Sequence, residues 1–91
     1  MANSKSSKKR IRVAERRRDS NKPLRTEART FVKKAEAAIA SGDTSVAETA
    51  MLQAVSVLDR VADKGVIHKN NAARRKSRLI AKYHALVAAA A

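Results

Sequence analysis

Ten cationic side chains, Lys5, Lys8, Lys9, Arg10, Arg12, Arg16, Arg17, Arg18, Lys22 and Arg25, fall within the first 25 residues beside only two acids, Glu15 and Asp19. Such a run cannot be balanced within its own segment, so the chemistry it offers is electrostatic: neutralisation of a polyanion, phosphate by phosphate. Wound as a helix, Lys5, Lys8, Lys9, Arg12 and Arg16 share a face and can track a charged backbone along one side. A second cluster occupies residues 65–79, GVIHKNNAARRKSRL, where cations and asparagines gather at the predicted opening of a helix. Helix N-termini attract anions through unsatisfied N–H groups, and the amides of Asn70 and Asn71 suit phosphate or ribose oxygens. An asparagine there also serves as an ordinary cap. Lys69, Arg74 and Arg75, by contrast, oppose the helix macrodipole. They disfavour folding mildly and are better explained by contact with a ligand.

The two clusters flank a nearly neutral middle. Net charge is +8 over residues 1–25, −2 over 26–63 and +7 over 64–91, giving +13 for the whole chain. A charge of that size repels itself severely unless a polyanion neutralises it. The pattern is that of a folded connector carrying two basic surfaces.

Other chemistries lack their parts. No Cys is present, which excludes disulfides, thiolate metal sites and cysteine nucleophiles and leaves the cytosol as the default compartment. His68 and His84 have no neighbouring carboxylate or thiolate to complete a metal site, no acid follows Asp63, and no nucleophile stands beside a base. Two glycines cannot build a phosphate loop. The expectation is a protein that is not an enzyme, uses no cofactor and takes no small-molecule substrate. The longest apolar run, residues 85–91, is far short of the roughly 20 residues of a membrane span, and the basic N-terminus leads into no signal-like apolar segment.

With one Pro, two Gly, two aromatics and abundant Ala, the chain favours long helices over sheets. Leu24, Ala28, Phe31, Val32, Ala35, Ala38 and Ile39 mark one buried stripe on a first helix ending at Gly42. Asp43 is a candidate N-cap for the next, with a Ser45–Glu48 capping box as the alternative. Ala47, Ala50, Met51, Ala54, Val55, Leu58, Val61 and Ala62 give that helix a wide apolar face, and Lys64-Gly65 closes it. A third helix starts near His68, with Ala72, Leu79, Ile80, Tyr83, Leu86 and Val87 inward and Arg74, Arg75, Arg78 and Lys82 on its polar side. Short connections make an all-α, up-down-up three-helix bundle the simplest architecture. The chain reads as one domain, with a basic arm over residues 1–22 and the bundle over 23–91. Pro23 inside a helix costs about 3 kcal/mol, so the arm should kink there or form separately, with Asp19, Ser20 or Asn21 capping a restarted helix. Self-repulsion predicts that the first 20 or so residues order only once a polyanion screens them.

The shortage of aromatics selects the binding mode. Modules that read single strands stack bases on exposed rings, whereas Phe31 and Tyr83 both fall on core stripes. Recognition of folded RNA through backbone and shape remains.

The sequence resembles the bacterial small-subunit ribosomal protein twenty family over essentially its whole length. Residues 65–79 carry the most specific part of the likeness: His68-Lys69-Asn70, Ala72-Ala73-Arg74 and Ser77-Arg78-Leu79. Supporting matches are Ala2-Asn3, Lys5-Ser6, Lys8-Lys9-Arg10-Ile11-Arg12 and Asn21-Lys22. The resemblance implies a three-helix bundle in the bacterial cytoplasm that binds small-subunit (16S) ribosomal RNA directly, alongside other small-subunit components, and stabilises its folding and assembly. It further implies that the first and third helices insert among RNA helices. The contact residues would be the N-terminal cations, Asn21, and the run His68, Lys69, Asn70, Asn71, Arg74, Arg75, Lys76, Ser77 and Arg78, with Lys82 on the same polar side. Pro23 departs from the helix-compatible residue usual in that family, and the alanine tail after Val87 looks particular to this sequence and is assigned no role.

Two other readings fit part of the pattern. A basic region ahead of Leu24, Ala28, Phe31, Ala35 and Ala38 has the alternating spacing of a DNA-binding coiled-coil dimer, although Gly42 ends that seam after about two heptads, fewer than the three to four usually needed. A basic amphipathic helix also suits anionic membranes. Ile11 and Val13 are the arm's only large apolar residues, too few to insert well, so neither a membrane partner nor a homo-oligomer is expected.

Overall fold

Gly42 and Gly65 divide the chain where their backbones turn left-handed, with φ of 83° and 76°. The computed structural model describes residues 5–90, and the Ala2-Asn3 motif and Ala91 lie outside them. Three helices follow one another: α1 Lys5–Ala40, α2 Thr44–Asp63 and α3 Lys69–Ala90. Asp43 caps α2, its carboxylate accepting the N–H groups of Ser45 at 3.0 Å and Val46 at 3.3 Å. The Ser45–Glu48 box is therefore not the start. At the far end of α2 the Gly65 N–H donates to the Ala62 carbonyl at 2.9 Å and the Val66 N–H to the Val61 carbonyl at 3.2 Å. This is the paired closure of a Schellman motif, and Val66 and Val61 are both buried beside it.

The short connections reverse the chain twice, so α1 and α3 run in the same direction with α2 between them, as an up-down-up bundle requires. Cross-helix pairs follow that order. Glu27 of α1 meets Arg60 of α2, Asp59 of α2 meets Lys76 of α3, and Glu36 of α1 meets Lys82 of α3. The core is built on Leu58, Val61 and Leu79, each exposed by 2% or less, and on buried alanines from every helix: Ala28 and Ala35, Ala54, and Ala72. Such small residues let helix axes approach closely, while Leu24, Phe31 and Val32 seal the edge. Val57 and Val66, outside the faces expected from the sequence, are also buried.

Three expectations need correction. The helix is not broken at Pro23: α1 is continuous from Lys5 to Ala40, so Asp19, Ser20 and Asn21 are mid-helix residues and cap nothing. Asp19 and Pro23 are both exposed, so the carbonyl that loses its helical donor can turn to water. Ile80 and Val87, expected to face inward, are exposed by 38% and 41%. Each follows an inward residue, Leu79 or Leu86, by one step of roughly 100° around the helix. Because α3 meets α1 only along an edge, its buried strip is too narrow to include them. Finally, it is His68, not an asparagine, that caps α3: its Nδ1 accepts the Asn70 N–H at 3.0 Å, and its carbonyl accepts the Ala72 N–H at 3.1 Å.

The core begins at Leu24. Everything before it on α1 is a lever of helix, and it gives the molecule extents of 65 × 19 × 19 Å and a radius of gyration of 17.8 Å. A compact chain of this length would have a radius near 12 Å.

Candidate nucleic-acid interface

From Lys5 to the first core residue, Leu24, the axis of α1 rises roughly 29 Å. Lys5, Lys8, Lys9, Arg10, Arg12, Arg16, Arg17, Arg18 and Lys22 are all exposed along this length, as is Arg25 just beyond it, and Asn21 is half-buried. At about 100° per residue, Lys5, Lys8, Lys9, Arg12 and Arg16 do share one broad face. Arg10 and Arg17 lie round from it, on the prolongation of the core stripe, and Arg18, Lys22 and Arg25 form a third line. The arm is therefore cationic on all sides, a rod suited to being surrounded by phosphates rather than laid on a single strand. None of these cations takes part in the ion pairs among the described residues, which occupy Arg60, Lys76 and Lys82.

The second cluster opens α3. Lys69, Asn70, Arg74, Arg75, Ser77 and Arg78 are exposed, as is the capping His68. Asn71 is half-buried, and its Oδ1 accepts a hydrogen bond from Arg75 Nε at 2.9 Å, so its side chain orients a guanidinium instead of capping the helix. Lys76 and Lys82 face inward obligations: Lys76 Nζ donates to Asp59 at 2.5 Å and Lys82 Nζ to Glu36 at 3.3 Å. These two tie α3 to α2 and to α1.

The fold joins the two sequence clusters at one place. Where α1 and α3 run side by side, a groove of about 370 Å³ is lined by Arg25, Ala28 and Arg29 from α1, Leu58 from α2, and Val66, Ile67, His68, Asn71 and Arg75. Arg75 also borders a second hollow of about 280 Å³ between Val32 and Glu36 of α1 and Arg74, Arg78, Leu79 and Lys82 of α3. Arg25 thus meets the α3 cluster, while the cations from Lys5 to Arg18 project away along the arm. Arg29 was absent from the residues singled out by sequence. The signal for it was its spacing, four residues after Arg25 and eleven after Arg18, on one line of the helix.

Away from the groove, Tyr83 is half-buried at the α2–α3 contact. Partial burial, reinforced by the charge and hydrogen bond of Glu48, pushes its hydroxyl above the ordinary value of 10.0. It lines a hollow with Thr44, Ser45, Glu48 and Val87, with no cation among them. Among the described residues no three His, Asp or Glu side chains gather as a metal site. What the arrangement can do is hold anions, on two surfaces of different construction.

Known proteins resemble the chain over its whole length. The sequence model described as ribosomal protein S20 matches residues 2–84. The chain is 56% identical over 91 residues to the small ribosomal subunit protein bS20 of Ectopseudomonas mendocina (strain ymp), covering 100% of this chain and 99% of that one. It is 55% identical over 91 residues to that of Azotobacter vinelandii (strain DJ / ATCC BAA-1303), covering both in full, 100% each. With that of Thermomicrobium roseum (strain ATCC 27502 / DSM 5159 / P-2) it shares 52% over 89 residues, 98% of this chain and 90% of the relative. Matches of this extent show that the chain belongs to the ribosomal protein S20 family.

Proposed function

We propose that this protein is a structural constituent of the bacterial small ribosomal subunit, in the cytoplasm, where it binds 16S ribosomal RNA directly and stabilises its folding during assembly. The observation that carries this reading is the arm: cations on every side of a helix, exposed and outside the ion pairs found among the described residues. A surface of that kind gains from releasing the counterions of converging phosphates, and it gains little from any neutral partner. The relatives' shared name, small ribosomal subunit protein, supports the same assignment. The whole chain acts as one RNA-binding unit, with residues 1–22 as the arm and 23–91 as the bundle.

On this reading the contacts are made by Lys5, Lys8, Lys9, Arg10, Arg12, Arg16, Arg17, Arg18, Asn21, Lys22 and Arg25 on α1. On the α3 side they are made by His68, Lys69, Asn70, Asn71, Arg74, Arg75, Ser77 and Arg78, with Lys76 and Lys82 joining after exchange of their carboxylate partners. The work is neutralisation and positioning, with no catalytic step, no cofactor and no small-molecule substrate. Other small-subunit components are the remaining neighbours. The coiled-coil reading loses its support, because Ala28 and Ala35 of the proposed seam are buried in the protein's own core. No helix among the described residues is long and apolar enough to cross a membrane.

The test is to sediment a cell lysate through a gradient and follow this protein. Co-migration with small subunits and with 16S RNA is expected, lost as salt rises. A protein that stays at the top of the gradient in dilute buffer overturns the proposal.

A further inference from the structure

We infer that the groove between α1 and α3 is a preassembled seat for a run of RNA phosphates, in which Arg29 is a contact residue and Asn71 a positioning residue for Arg75. This rests on the ribosomal RNA reading and goes beyond it, since it assigns a second binding mode that exists only in the folded bundle. Three guanidinium groups, Arg25 and Arg29 from α1 and Arg75 from α3, line the same groove, and no carboxylate lines it with them. The two acids of α1 that could have approached are engaged elsewhere: Glu27 pairs with Arg60 of α2, and Glu36 pairs with Lys82 farther along. The floor is apolar, formed by Ala28, Leu58, Val66 and Ile67, and water competes less well above such a surface.

The donors are also oriented. Arg75 spends its Nε–H on Asn71, so its two terminal amino groups remain for a bidentate grip on phosphate oxygens. His68 accepts the Asn70 N–H at Nδ1, which leaves Nε2–H as the donor of the neutral ring. Convergent cations without a counter-charge repel one another, and here the repulsion acts across the α1–α3 edge, the least extensive contact of the bundle. The free protein is thus loosened along the line that RNA closes. Function and stability have opposite signs at Arg29 and Arg75, which the arm cations, lying outside the bundle, do not share.

The experiment uses the full chain and transcribed 16S RNA, with Arg29→Gln, Arg75→Gln and Asn71→Ala compared in filter binding over a salt series and in thermal unfolding without RNA. Each Arg→Gln variant should bind on the order of tenfold more weakly, with a salt slope lower by about one, and should unfold at a higher temperature than the unsubstituted protein. Asn71→Ala keeps every charge, so it should weaken binding while leaving the salt slope unchanged. Arg→Gln variants that bind with unsubstituted affinity and slope overturn the seat while leaving the RNA reading intact. Variants that lose affinity and stability together also overturn it, because the arginines are then structural. An unsubstituted protein that ignores the RNA removes both readings.

Discussion

Lys76 Nζ lies 2.5 Å from an Asp59 carboxylate oxygen, pinning the most cationic stretch of α3 to the one acidic edge of α2. The Lys76 side chain keeps 29% of its exposure and Asp59 52%, so the pair is partly solvated and worth about 0.5–1 kcal/mol. Lys76→Ala should therefore lower unfolding free energy by about that amount, measured by urea titration, and weaken RNA binding less than Arg74→Ala does. The smaller loss reflects the Asp59 contact that Lys76 gives up on binding, and an affinity left unchanged by Lys76→Ala would show that Lys76 stays with Asp59 in the complex.

Pro23 sits in an unbroken helix and deprives Asp19 of its donor. Replacing it with Ala restores that bond at a position where Pro costs about 3 kcal/mol relative to Ala. The gain should appear as more helix in the arm, read by circular dichroism at 222 nm in moderate salt, with little change in the melting of the bundle, because the core starts only at Leu24.

That position also shows where sequence reasoning stops. The helix ends at Gly42 and Gly65 and the Asp43 cap are local events, written in residues within four places of one another, and the structure has them where the sequence suggested. Pro23 misleads because its penalty is local while the tendency to continue the helix is spread over the whole of α1. Ile80 and Val87 mislead because periodicity identifies an apolar stripe without stating how wide the neighbouring helix will cover it. Val57 is the converse: α2 is flanked on two sides, so a residue off the main stripe is still covered. The cationic clusters were legible as charge runs, but the groove was not, since Arg29 and Arg75 become neighbours only when two chain reversals bring α1 and α3 parallel.

Leu58 is fully buried on α2, the helix that touches both others. Leu58→Ala should cost about 2–5 kcal/mol, enough to unfold much of a small bundle at 37 °C. Since the arm does not depend on that core, residual RNA binding should persist with a reduced salt slope. Complete loss of binding on unfolding would place all the affinity in the folded bundle.

The hydroxyl of Tyr83 is raised above its ordinary value of 10.0, first by burial and then by Glu48. The unfolded chain therefore ionises this tyrosine first. Its contribution to stability is complete below pH 10 and is lost as pH rises through the folded value. Urea unfolding between pH 8 and 12 should show a steeper alkaline loss in the unsubstituted protein than in Tyr83→Phe; parallel curves would mean that the hydroxyl is not held in the fold.

The packed core begins only at Leu24, and the cations of the arm before it repel one another along a single helix. The arm's order should depend on screening. In dilute buffer, backbone order parameters over residues 5–20 should be lower than those of α2 and should rise when RNA or phosphate is added. Replacing Arg16, Arg17 and Arg18 together with Gln removes one charge from each of the three faces and touches no core residue. Its melting temperature should therefore stay unchanged, while the salt slope of binding falls by about three. A fall of only one or so would mean that RNA engages a single face of the arm, and the encircling arrangement inferred from its charge distribution would give way to a one-sided contact.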